Sequence, residues 1–150
     1  MTDRTTIDAL TEALEDEYRA RATYRKVIEC FGPVRPFVNI VEAENRHVAA
    51  LLRQFRRLGA QPPADTWTDR VRAPATVAQA CAEGVQAEIE NETLYARLLD
   101  QVTDAEARLV MQQLREASRE RHLPAFRRCL ARRRAASSAP HDLDPGSAGA

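Results

Sequence analysis

The chain has 150 residues, 44% hydrophobic and 29% charged, with five glycines and a formal net charge of zero at pH 7. That length fits one domain, and the even charge excludes a chain-wide electrostatic grip on nucleic acid or on an anionic membrane. Few aromatics beside abundant Ala, Leu, Glu and Arg favour an all-α fold over strands.

The first thirty residues carry Asp8, Glu12, Glu15, Asp16 and Glu17 without a continuous apolar run, so neither a signal peptide nor a membrane span is expected there. Helix A is expected to start after Thr5 or Thr6, whose hydroxyl can cap free amides, and to stop at Phe31-Gly32. Its inward stripe reads Leu10, Leu14, Glu17, Arg21, Tyr24, Ile28, Phe31. Pro33 and Pro36 place the start of helix B near residue 36, and Gly59 ends it after Leu58. The short A–B connection makes these helices antiparallel. Residues 60 to 74 turn polar and proline-rich, with Trp67 as the one large apolar anchor. Some fifteen residues at ~3.3 Å each reach about 50 Å, enough to run the length of a helix and start helix C parallel to B. Thr76 and Gln79 form a capping box for helix C, which continues to about Val102. Thr103 and Glu106 form another for helix D, which is expected to open at Asp104, reach about Arg134 and bend at Pro124, beside His122. The bundle thus spans 1–134. Residues 135–150 lack periodicity and apolar mass and read as a disordered tail. Arg127, Arg128 and Arg132 to Arg134 suit the negative end of the last helix dipole and carry no nucleic-acid motif.

The polar residues inside the apolar stripes carry the functional signal. Helix B reads Phe37, Ile40, Glu44, His47, Leu51, Phe55, Leu58, which buries a carboxylate and an imidazole. Unpartnered, such groups cost roughly several kcal/mol, and a bound metal is the leading candidate to compensate them. Helix C repeats helix A: Cys81, Val85, Glu88, Glu92, Tyr95, Leu99, Val102, with Glu17 mapping on Glu88 and Tyr24 on Tyr95. His47 maps on His122. Two helix pairs, each offering inward Glu and His, imply one shared site. A metal-free network in which Arg21, Arg119 and two protonated histidines balance the carboxylates is the alternative. Tyr24 and Tyr95 lie two turns beyond Glu17 and Glu88, either as core residues with satisfied hydroxyls or as an electron relay. Ala13 and Gly84, one turn before each Glu, remove side-chain volume, which either admits a small oxidant or lets the helices approach closely, the packing explanation being preferred. Cys30, Cys81 and Cys129 are isolated and odd in number, so no structural disulfide is expected, and a reducing cytoplasm is the default location.

Four long helices, a short A–B loop, a long crossover and inward carboxylates with Glu-x-x-His resemble the ferritin-like superfamily, the rubrerythrin and bacterioferritin cores included, over residues 6 to about 132. The segments DEYRA, PFVNIVEAE, AEIENETLY and ASRERHLPAF also resemble a bacterial ferritin-like family without an assigned function. The resemblance implies a four-helix bundle whose Glu17, Glu44, His47, Glu88 and His122 ligate metal. It departs at the sixth position, where Arg119 stands three residues before His122; a cation cannot ligate a metal. Glu92 is the expected substitute, as in rubrerythrins with their additional helix-C glutamate. Four carboxylates would balance two divalent ions. Oxygen and imidazole donors suit iron first, with manganese or zinc as alternatives. The implied activity is oxidation of ferrous iron by dioxygen or reduction of peroxide, with His47 and His122 each holding one ion, Glu17 and Glu92 terminal, Glu44 and Glu88 bridging, and Arg119 facing a bound anion or orienting a carboxylate. Any electron donor would be a separate partner, since no Cys-x-x-Cys module is present. A homodimer is expected, and a metal-free bundle acting by self-association or partner binding is the other reading.

Overall fold

The computed structural model describes residues 3–138 and is helical, with no strand among them. Helix α1 spans Arg4–Phe31, α2 Phe37–Arg57, α3 Val77–Leu99, α4 Ala105–Ala117 and α5 Leu123–Ser138; α4 and α5 are joined by a π-helical turn over Ser118–His122. The four rods of the bundle are therefore α1, α2, α3 and the compound rod α4–π–α5. Helix α1 packs mainly on α2, and α3 mainly on α5, so each sequence-adjacent pair forms one half of the molecule.

Local chemistry explains most boundaries. Asp3, rather than Thr5 or Thr6, caps α1: its carboxylate accepts from the Thr5 amide at 3.0 Å and from the Thr6 hydroxyl at 2.7 Å. Gly32 leaves α1 at φ +83°, the left-handed region that glycine enters without strain. Thr76 accepts from the Gln79 amide at 3.1 Å, as the capping signal predicts. At α4 the cap is Asp104 itself, through Ala107 N–H at 2.9 Å, and not Thr103. Helix α3 stops at Leu99, three residues short of the expected Val102, and the last helix runs through Ser138, beyond Arg134. The rest of the predicted tail, 139–150, lies outside the described residues.

The crossover lies along α1. Trp67 donates its indole N–H to Glu15 at 2.7 Å while the Arg70 guanidinium covers the ring at 3.8 Å, and Tyr18 donates to the Pro63 carbonyl at 3.2 Å.

The apolar interior has two compartments. Leu10, Leu14, Leu51, Phe55, Leu98 and Met111 fill one end of the bundle. Tyr24, Phe37, Cys81, Phe126 and Cys129 fill the other. A layer of buried polar residues separates them.

In the second compartment Cys81 and Cys129 form a disulfide between α3 and α5, with Cα atoms 6.0 Å apart. This overturns the expectation of three free cysteines; only Cys30 is unpaired, and it is exposed. Isolated spacing hid the pair because antiparallel packing, not sequence proximity, brings residues 48 apart to one level. The bond also removes the ground on which a reducing compartment was expected. No helix among the described residues is long and apolar enough to cross a membrane.

Candidate metal centre

Glu17 from α1, Glu44 and His47 from α2, Glu88 from α3 and His122 from the π-turn converge in the middle layer, each 7% exposed or less. Glu44 is the hub. One of its carboxylate oxygens, Oε2, lies 3.4 Å from His47 Nδ1, and the other, Oε1, lies 3.3 Å from His122 Nδ1. Glu17 faces His47 Nδ1 at 3.6 Å, and Glu88 faces His122 Nδ1 at 3.4 Å. The two imidazoles stack at 5.2 Å between centroids, inclined by 15°. The result is a chain Glu17–His47–Glu44–His122–Glu88 with approximate two-fold symmetry.

Each outer carboxylate has a crossed tyrosine partner. Tyr95 of α3 donates to Glu17 of α1 at 2.7 Å, and Tyr24 of α1 donates to Glu88 of α3 at 2.9 Å. Both phenols are fully buried, and burial together with the facing carboxylates pushes their pKa values well above the ordinary phenol value. They remain neutral donors. Each hydroxyl thus has a buried partner, as a core position requires.

The electrostatics follow from burial. Desolvation and the neighbouring Glu44 raise the Glu17 carboxyl to about 7. For Glu44 desolvation is outweighed by the polar groups of Glu17, His122 and His47 that face it, which hold it at about 2. For the histidines burial works against the charged form, yet the carboxylates win: Glu17 and Glu44 raise His47 to about 10, and Glu44 and Glu88 raise His122 to about 9.

These groups fit a cation. Glu44 Oε2, His47 Nδ1 and His122 Nδ1 are buried with no hydrogen-bond partner among the described residues. The N···O separations of 3.3 to 3.6 Å exceed the usual hydrogen-bond range, about 2.7 to 3.2 Å. Around an ion with bonds of ~2.1 Å, neighbouring donor atoms stand about 3.0 Å apart in octahedral and about 3.4 Å apart in tetrahedral geometry. Donor atoms of Glu44, His47 and His122 all lie within 4.8 Å of one another, the compactness one ion requires.

Two predicted site residues lie elsewhere. Glu92 is about one-third exposed and pairs with Arg115 at 3.5 Å and Arg119 at 3.8 Å. The buried stripe of α3 runs Glu88, Asn91, Tyr95, Leu98, so the three-residue step puts Asn91 inside and turns Glu92 out. Arg119 is half-exposed and reaches Glu92 and Glu120 rather than the centre. The π-turn explains this. Leu123 N–H closes on the Ser118 carbonyl, an i to i+5 bond, and in so wide a turn the residue sharing the His122 face is four positions back. That residue is Ser118, 1% exposed with an unpartnered hydroxyl. In the π-turn the buried residue beside His122 is thus Ser118, not Arg119. Pro124, two residues past the turn, was the sequence signal: its ring clashes with the carbonyl of residue 120 in a regular α-helix. Gly84 confirms the packing reading, because a Cβ there would meet the Phe126 ring at 2.7 Å.

No family model and no curated protein matches the sequence. A solved structure does match in fold: a two-domain protein from Anabaena variabilis containing DJ-1/ThiJ/PfpI-like and ferritin-like domains, at TM-score 0.69 and 17% identity. The match covers 97% of this chain and 40% of that one. The fold is thus a ferritin-like four-helix bundle, and its buried Glu/His cluster is a possible metal-binding site.

Proposed function

We propose that the chain is a non-haem iron protein that holds two ions between Glu17, Glu44, His47, Glu88 and His122 and oxidises ferrous iron with dioxygen or reduces peroxide. The observation that carries this reading is the orphaned donor set: two buried imidazole nitrogens, each between two carboxylates at distances too long for good hydrogen bonds and suited to a shared cation. Three carboxylates contribute minus three, so two divalent ions would leave one net positive charge at the centre, while hard oxygen and imidazole donors favour iron or manganese.

His47 would hold one ion with Glu17, and His122 the other with Glu88; Glu44, with one oxygen toward each histidine, would serve both. When bound, iron supplies one-electron transfer to the oxidant. Tyr95 and Tyr24 fix the outer carboxylates by donating to them. A pocket of about 380 Å³, lined by His47, His122, Asn39, Gln113, Arg46 and Arg121, opens on the histidine side and would give a small oxidant its route.

One observation favours the other reading, a metal-free bundle acting by self-association or partner binding: with protons alone, the carboxylates already hold both histidines charged. Elemental analysis of protein purified without a metal-affinity tag, followed by oxygen consumption on adding ferrous iron, separates the two. Two equivalents of metal and iron-dependent oxygen uptake are expected. A metal-free protein that neither takes up iron nor consumes oxygen sinks the enzymatic reading. Light scattering on the same sample tests the proposed homodimer.

A further inference from the structure

The centre is approached from two sides of unlike chemistry. Opposite the histidine pocket, a cavity of about 240 Å³ lies between α1 and α3. It opens past exposed Arg19, Glu83 and Glu90 and ends on Glu44 and Glu88. Most of its wall is apolar, from Ala20, Val27, Phe37, Ala80 and Ala87, interrupted by Asp16, Thr23, Tyr24 and Asn91. An apolar cavity of ~150 Å³ is large enough for benzene, so this one accommodates roughly a substituted ring or a chain of similar size.

One polar group in that wall has an unmet need. Asn91 is 5% exposed and lines the cavity; its amide nitrogen donates to Asp16 at 2.7 Å, which fixes the orientation of the amide and leaves Oδ1 buried without a partner. An unmet buried acceptor costs about 1–3 kcal/mol. Arg19, the nearest cation at the mouth, is already paired with Asp16 at 2.8 Å, and the cavity ends on two carboxylates, so an anionic ligand is disfavoured. We propose that this cavity binds a small, uncharged organic molecule with an apolar body and one hydroxyl group, the body against Ala20, Ala87 and Phe37 and the hydroxyl donating to Asn91. Such a molecule lies against Glu88 and Glu44, where an organic substrate of the centre would sit. Its role as a substrate rests on the metal-binding reading. Its binding does not.

The test uses benzyl alcohol, toluene and benzoate as probes, with saturation followed by NMR line shifts on the full chain, both metal-free and iron- or manganese-loaded. Metal content is read on the same samples, so failure of the metal reading and failure of this one are distinguished. Benzyl alcohol should saturate one site, with toluene about fivefold weaker for want of one hydrogen bond, a factor equivalent to ~1 kcal/mol. Benzoate should not bind the metal-free chain, where no metal neutralises the two carboxylates at the cavity's end. Ala87→Phe and, separately, Ala20→Phe should each weaken benzyl alcohol at least tenfold with helicity and metal content unchanged, because either fills the cavity from a different helix. No saturable binding to the parent chain, binding of benzoate to the metal-free chain as tight as the alcohol, or undiminished binding in both folded variants would each overturn the proposal.

Discussion

The two halves of the bundle start from one plan and end differently. In the first, α1 and α2 are regular helices, and Glu44 and His47 share a face by the ordinary three-residue step. In the second, a π-turn before Pro124 inserts a wider register, so Ser118 is buried and Arg119 is carried to the surface. A disulfide then ties this less regular rod to α3, a reinforcement the α1–α2 pair does without. The comparison teaches that one inserted residue per turn is enough to exchange a cation for a hydroxyl at a buried position, with no loss of the histidine.

Glu44 belongs to both halves, so its removal should have the largest effect. Glu44→Ala leaves His47 and His122 each short of a carboxylate; the metal-free protein should lose about 3–5 kcal/mol in denaturant unfolding, and affinity for iron or manganese should fall by more than the ~10–100-fold typical of an outer partner. A variant that keeps parental metal content would show that the hub is not the shared ligand. The next effect is confined to the second half: Cys81→Ala with Cys129→Ala opens a 48-residue separation and should cost about 2–4 kcal/mol, with hydrogen exchange quickening in α5 more than in α2. Uniform quickening in both would contradict separate reinforcement.

Proton dependence should treat the two histidines alike. Both histidines have folded pKa values above the ordinary 6.5, so their contribution is complete below about 6.5 and disappears as pH rises through about 9 to 10. Glu17, raised to about 7, acts in the same direction over its own window, from 4.5 to 7, whereas Glu44, held at about 2, stabilises above 4.5 and loses that contribution only as pH falls through 2. Metal-free protein should therefore lose on the order of a few kcal/mol between pH 6.5 and 10, and bound metal, which replaces those protons, should flatten the slope. A metal-free stability that climbs with pH would contradict protonated histidines. The smallest effect belongs to Arg119→Ala. Half-exposed and paired only at the surface, it should change stability by less than ~1 kcal/mol and leave metal affinity within about twofold.

The stripes that interrupt apolar faces with Glu17, Glu44, His47 and Glu88, together with the repeat that maps His47 on His122, made the meeting of these five side chains readable. Glu92 misled because a four-residue and a three-residue step are equally helical, and only packing decides between Glu92 and Asn91. Ser118 was hidden because a constant pitch was assumed through Pro124. The disulfide was hidden for a related reason: which faces of α3 and α5 meet is a property of the assembled bundle, not of cysteine spacing. The two tyrosines, by contrast, were placed by the internal repeat, although their exchange of partners across helices required the fold.

That exchange has a consequence for assembly. Because each phenol reaches over to the opposite rod's acid, sliding α1 along α3 by one turn, about 5.4 Å, would strand two donors and two acceptors at once in a dry interior. The pair works as a vernier: only one axial alignment closes both ends, so the spacing of the acids is set while the chain folds, ahead of any cargo that later lodges between them.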